Sequence, residues 1–209
     1  MIETITRSGI VLLCFILNGC NVIGLAVNQV FGGDSYEIRE ARSRDLENQT
    51  VAVMVDADYT TVSTTVKRQM IQTIANELVD SVKGIKLIPT DRVIGYQQKH
   101  RYWRQGDLDT AFKELHADRL LIYDLNEYAL EQSQGFSVLI GKMRGNLSIE
   151  KMGQGGISVM SVQMDVNYSP NGRHGSVVTE GAAEIRDQLV ERLSVKIVNL
   201  FRDLTVKVK

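Results

Sequence analysis

Val51-Ala52-Val53-Met54-Val55, closed by Asp56, decides how this chain is to be read. Five successive apolar residues with no polar alternation describe a strand covered on both faces, as in the interior of a sheet flanked by helices. The next residues supply such a helix. Thr60 to Ser63 are N-cap candidates. Val66, Met70, Ile74, Leu78 and Val82 then recur every fourth residue, with Ile71 beside them, as one stripe of an amphipathic helix of about five turns. Gly84 ends it, because glycine tolerates the positive φ of a helix terminus.

Ile85-Lys86-Leu87-Ile88 reads as a second strand, and Pro89-Thr90-Asp91 opens a short helix reaching Tyr96. Asp107 caps a further helix with Leu108, Ala111, Phe112 and Leu115 on one face. Leu120-Leu121-Ile122-Tyr123 is a third buried strand. Beyond it the period becomes two. Leu147 and Ile149 share one side of a strand over 146–152, and Val162, Met164, Val166 and Tyr168 share one side of another. Alternation of this kind marks antiparallel strands with one wet face. Gly153-Gln154-Gly155-Gly156 and Asn171-Gly172 are the hairpin signals among them. Ile185, Leu189, Leu193, Ile197, Leu200 and Leu204 stripe a long final helix, charged on its other face. The expected order is β-α-β-α-α-β, then a β-meander, then α. The fold class is mixed α/β, a layered domain over residues 50–209.

That order and its landmarks resemble the curli-secretion lipoprotein superfamily. The same small fold is shared by the amino-terminal domain of the Tol-system propeller protein and by lipoproteins that activate penicillin-binding proteins. The landmarks are Val51-Ala52-Val53-Met54-Val55, the helix over 71–82, Leu87-Ile88-Pro89-Thr90-Asp91-Arg92, and Leu115-His116-Ala117-Asp118-Arg119-Leu120-Leu121-Ile122-Tyr123. The resemblance spans about residues 50–205 and is one of fold; it carries no catalytic residues. His116 stands where the family usually has glycine. The chain shows no pair of long amphipathic hairpins of the sort a secretion pore inserts; Phe136-Ser137-Val138-Leu139-Ile140 is a single short apolar stretch.

The start of the chain speaks of location. Gly9-Ile10-Val11-Leu12-Leu13-Cys14-Phe15-Ile16-Leu17 is an apolar run of signal-peptide length, followed by Asn18-Gly19-Cys20. A small residue before cysteine at the end of such a run resembles a bacterial lipobox. Residues 1–19 are then a lipoprotein signal peptide, Cys20 is the lipidated residue, and residues 20–49 are a membrane-proximal linker. Two acyl chains suffice for stable anchoring. Asn21, rather than aspartate, follows the cysteine, so the family-level expectation is the outer membrane, facing the periplasm. Two other readings stand beside this one. Residues 9–31 are long enough for an uncleaved transmembrane helix, although Asn18, Asn21 and Asn28 are costly in lipid. A buried helix of a cytosolic protein is the other.

Composition limits the function classes. The 209 residues are 44% apolar with a formal net charge of −1, which suits a globular domain and argues against a general nucleic-acid binder. The two cysteines are Cys14 and Cys20, so a mature domain has neither disulfide nor thiol chemistry. His100, His116 and His174 lack metal-ligand spacing, and no metal or cofactor is expected. Gly153-Gln154-Gly155-Gly156 lacks a phosphate-loop lysine, and no serine occupies a nucleophile elbow. Asp56 and Asp58 follow the first strand, with Asp124 and Glu127 after the third; turn and cap roles account for them, and a cation-binding or acid–base cluster is the alternative. The most distinctive surface candidate is the segment 96–105, whose Tyr96, Lys99, Arg101, Tyr102, Trp103 and Arg104 are of the types enriched at partner-binding hot spots and would suit a partner protein, a glycan or anionic lipid headgroups. The alternative is a connector whose aromatics fold onto the core. The leading expectation is a non-enzymatic, lipid-anchored envelope protein that binds a partner protein in assembly or regulation of an envelope complex. A homo-oligomer is compatible with that role. A secretion-channel subunit and a metal-dependent hydrolase are the competing readings.

Overall fold

Strand β2 (Thr50–Ala57) carries the apolar run, and Val51 through Val55 are all buried. The computed structural model describes residues 35–57, 62–132, 139–153, 155–169 and 181–208. The signal segment, Cys20, Asp58, Thr60, Asn171-Gly172 and His174 lie outside the described residues, as do residues 136–138 of the apolar stretch and Gln154 of the glycine turn.

Among the described residues two units are distinguished, one holding residues 35–39 and 204–208, the other lying within residues 40–203. In the first, β1 (Ser35–Arg39) pairs antiparallel with β7 (Leu204–Val208), with Arg39 opposite Leu204. The second holds the larger sheet and its helices.

Helix α1 (Thr64–Ser81) starts at Ser63, whose Oγ accepts the Val66 N–H at 3.4 Å, and buries Val66, Met70, Ile71, Ile74 and Leu78 as the fourfold spacing requires. Gly84 (φ +68°) turns the chain, and a Cβ there would overlap Asn48 Oδ1. Strand β3 (Lys86–Leu87) pairs parallel to β2. Helices α2 (Thr90–Lys99) and α3 (Leu108–Leu115) come next, so the helix expected to reach Tyr96 runs almost a turn further. Strand β4 (Arg119–Gln132) returns parallel to β2, from Val51 opposite Arg119 to Ala57 opposite Leu125. Strands β5 (Leu139–Lys151) and β6 (Ile157–Tyr168) complete an antiparallel meander, and the sheet order is β3-β2-β4-β5-β6. The mixed α/β class expected from the sequence is the class observed.

The path β2-α1-β3 steps outward and β3-α2-α3-β4 steps back past β2, so right-handed crossovers put α1 on one face and α2 and α3 on the other. Helix α4 (Ala182–Val198) joins α1, linked by Gln69 Nε2 donating to Asp187 Oδ1 at 2.9 Å. It sits closely over β5 because position 141 is glycine. A Cβ there would lie 2.5 Å from Leu189 Cδ1 and 2.7 Å from Ile185 Cγ2.

Two expectations need correction. The final helix ends at Val198 with Asn199 as its cap, so Leu200 and Leu204 leave the stripe and Leu204 enters β7. The stretch 40–49, expected as linker, belongs to the folded unit: Leu46 is fully buried, and Ala41 N–H and Arg44 both bond Asp203. His116, at the glycine position of the resemblance, caps α3 in the left-handed conformation (φ 55°, ψ 46°). The geometry explains the family preference, since glycine enters that region without a Cβ penalty.

Candidate functional site

The end of α2, the turn after it and the start of α3 enclose an open groove of about 360 Å³. Tyr96 and Lys99 come from α2 and His100 from its C-cap, Arg101, Tyr102 and Trp103 from the turn, and Gly106, Asp107 and Thr110 from the α3 side. The turn is held by its backbone, with Trp103 N–H donating to His100 O at 3.0 Å and Gly106 N–H to Tyr102 O at 3.1 Å. Trp103 is 5% exposed and Tyr96 6%, so both fix the groove to the core. Tyr102 points the other way, 77% exposed. The core-anchor alternative thus describes Trp103, while Tyr102, Lys99 and Arg101 remain on the surface.

The cations differ in their commitments. Lys99 Nζ donates to Glu114 Oε2 at 3.0 Å, and His100 Nε2 lies 3.1 Å from Glu114 Oε1 without the alignment of a hydrogen bond. The Lys99 hydrogen bond holds the Glu114 carboxyl below the ordinary carboxylate range, with His100 adding to it. The His100 ring stacks on Tyr96 at 4.6 Å between centroids. Burial, with Glu114 and Asp107 nearby, raises the Tyr96 phenol, which stays protonated and a donor. Arg101 has no hydrogen bond or ion pair among the described residues and is exposed. Asp107 spends Oδ1 on the Asp109 N–H at 2.9 Å, as an N-cap does.

Arg104 does not join the groove. Its guanidinium forks onto Asp124, with Nε to Oδ1 at 3.1 Å and Nη2 to Oδ2 at 2.9 Å. Asp124 lies opposite Asp56 across the parallel β2–β4 pair, at the carboxyl end of β2, where open α/β sheets often place function, while β4 runs on to Gln132. Burial raises the Asp56 carboxyl, Lys67 and Arg104 oppose that rise, and Asp124 adds to it. Burial in turn lowers the Lys67 ammonium, which Asp56 partly restores. Gln97, 2% exposed, donates Nε2 to Val55 O at 3.0 Å, while its Oε1 has no partner among the described residues. Glu127 is tied elsewhere, to Lys142 at 2.7 Å and Arg144 at 3.3 Å.

The acidic positions therefore divide. Asp56 and Asp124 are neighbours, but Asp124 is held by a guanidinium, and Glu127 faces two cations of β5. Among the described residues no three His, Cys, Asp or Glu side chains gather as a metal would require. Also among them, no helix is long and apolar enough to cross a membrane. Sequence reading does not find Glu114, Thr110, Lys67 or the buried Gln97 amide. Glu114, Lys67 and Gln97 acquire their roles from partners distant in the chain, such as Glu114 meeting Lys99 fifteen residues away, and Thr110 only lines the groove.

No protein-family model matches the chain, and no curated protein matches its sequence. Among solved structures it is similar to the hypothetical protein CT253 from Chlamydia trachomatis, with TM-score 0.50 and 12% identity over 71% of this chain and 92% of that one. The PelC dodecamer from Paraburkholderia phytofirmans has TM-score 0.47 and 11% identity over 80% and 98% of the two chains. Lipoprotein GNA1162 from Neisseria meningitidis has TM-score 0.45 and 12% identity over 72% and 98%. At such identity the likeness to the Chlamydia protein is one of fold alone, and it agrees with the mixed α/β architecture.

Proposed function

We propose that this chain is a lipid-anchored cell-envelope protein that acts by binding, in the assembly or regulation of an envelope complex, without catalysis. The observation that carries the binding role is the groove between α2 and α3. It offers an exposed tyrosine and an uncommitted arginine on a turn fixed by a buried tryptophan. Rigid aromatic and arginine anchors of this kind are what binding sites use to gain affinity at small entropic cost. The anchor rests on Leu17-Asn18-Gly19-Cys20 after the apolar run, and the outer-membrane, periplasm-facing location on Asn21. The resemblance to the curli-secretion and synthase-activator lipoproteins supports the same reading. Self-assembly with further copies of the chain belongs to the proposal.

The hydrolase reading draws less support, because the Arg104 fork occupies the carboxylate a cation would need. The test has two arms. Cells fed an alkyne fatty acid should label the wild-type chain and not Cys20→Ala. A photocrosslinking residue at position 102 should give a discrete adduct that the same residue at the exposed position 163 does not. An unlabelled wild-type chain removes the anchor, and identical patterns from both positions remove the groove.

A further inference from the structure

We propose that the groove between α2 and α3 binds the headgroup of a zwitterionic phospholipid, one bearing a phosphodiester and a primary ammonium. The inference deepens the binding role given to this groove and rests on it. Its basis is the charge left over on the two walls. On the α2 side Lys99 and His100 both face Glu114, so the Lys99 charge is answered within the protein. Arg101 is not answered, and it stands as one uncommitted cation on the turn. On the α3 side the Asp107 carboxylate gives one oxygen to the Asp109 N–H, and its other oxygen is not needed by that bond.

A simple anion drawn to Arg101 meets Asp107, and a simple cation drawn to Asp107 meets Arg101. A ligand with both charges meets a partner at each end. The guanidinium fork suits a phosphodiester, which accepts two parallel N–H bonds. The ammonium end suits a carboxylate with the Thr110 hydroxyl on the same wall, at a rim where Tyr102 is exposed. The volume, about 360 Å³, is that of a small-ligand site and is enough for a headgroup. The lipid source is suggested by the membrane attachment proposed through Cys20, which would keep the domain beside such headgroups. Free glycerophosphoethanolamine shares the chemistry, and the experiment separates the two.

Trp103 is the only tryptophan of the chain and lines this groove, so its emission reports occupancy without a label. The full chain, held in a non-ionic maltoside detergent, is titrated with dihexanoylphosphatidylethanolamine, glycerophosphoethanolamine, glycerol 3-phosphate and ethanolamine. The lipid should shift Trp103 emission saturably and bind tighter than the free diester. Both should bind tighter than either singly charged fragment. Arg101→Gln and Asp107→Asn should each weaken lipid binding about tenfold, the worth of one charge-assisted contact. Asparagine still caps α3, so the second variant changes charge without removing the cap. Free diester binding as tightly as the lipid overturns the lipid source. Glycerol 3-phosphate or ethanolamine matching the diester overturns the zwitterion, and so does full affinity in either variant. A silent Trp103 together with a discrete photocrosslink from position 102 overturns the headgroup while leaving the groove a binding site.

Discussion

Replacing Arg104 with glutamine should cost the fold about 2–3 kcal/mol at pH 7, and the cost should shrink in acid. The fork to Asp124 consists of two charge-assisted hydrogen bonds, 3.1 and 2.9 Å long, between side chains that are 29% and 23% exposed. Together the two bonds contribute about 1.5 kcal/mol, less than two fully buried ones would, because both groups keep some contact with water. Removing the guanidinium also uncovers Asp124 to Asp56, its neighbour on the adjacent strand. At the inter-strand spacing of about 4.8 Å, two unit charges repel by about 3 kcal/mol at an effective dielectric of about 20. Water and salt at the strand ends leave about 1 kcal/mol of that. Linkage sets the sign with pH. An uncovered pair of carboxylates binds a proton more tightly folded than unfolded, so its penalty is present at neutral pH and is released as pH falls through the raised folded pKa. Urea unfolding followed by circular dichroism, at about pH 7 and pH 4.5, measures both quantities. Asp124→Asn added to Arg104→Gln should recover the repulsive part at neutral pH. A loss below about 0.5 kcal/mol would place the fork among ordinary exposed ion pairs, and the same loss at both pH values would remove the carboxylate repulsion.

Three further outcomes are expected. His116→Gly should stabilise the fold by about 0.5–1 kcal/mol, because an exposed left-handed helix cap loses its Cβ strain; thermal unfolding of the pair checks it. Gly145→Ala should destabilise by about 1–3 kcal/mol, because a Cβ there overlaps Asp124 O and meets the Tyr123 ring at 2.7 Å; a wild-type urea midpoint contradicts this. Glu114, Glu127 and Asp203 all have lowered carboxyl pKa values, held chiefly by Lys99, by Lys142 and by the Ala41 N–H respectively. Each contributes stability above its unfolded pKa that is lost as pH falls through the folded value, so stability should decline below about pH 4.5. Asp56, whose pKa is raised, works in the opposite sense, and Asp56→Asn should steepen that acid decline.

The sheet's parallel part is legible because β2 and the start of β4 are apolar on both faces, a pattern that polar alternation does not mimic. The α1 stripe is legible for the same kind of reason. The far half of β4 is not. A register shift between Leu125 and Glu127 moves the apolar positions from Tyr123 and Leu125 to Tyr128 and Leu130, which breaks period two where a reader needs it. The end of α4 misleads because Leu200 and Leu204, three and then four residues on from Ile197, continue the helical stripe by chance. Asn199 instead closes the helix, and Phe201 is buried outside it. At the site, aromatic and cationic residue types mark segment 96–105, and the groove lies there. They do not reveal that Arg104 turns to Asp124 twenty residues away while Arg101 turns to water. Sequence spacing specifies neighbours along an element; partners across elements are chosen by the fold.

The proposed envelope role requires a lipid at Cys20 to tether the domain, and the mass of the intact chain recovered from its own cells tests that requirement. A tethered chain is found in the membrane fraction, begins at Cys20 and is heavier than its amino acids by a diacylglyceryl modification, all of which Cys20→Ala should abolish. A soluble polypeptide of unmodified mass that begins at Met1 contradicts the tether and the location inferred from it.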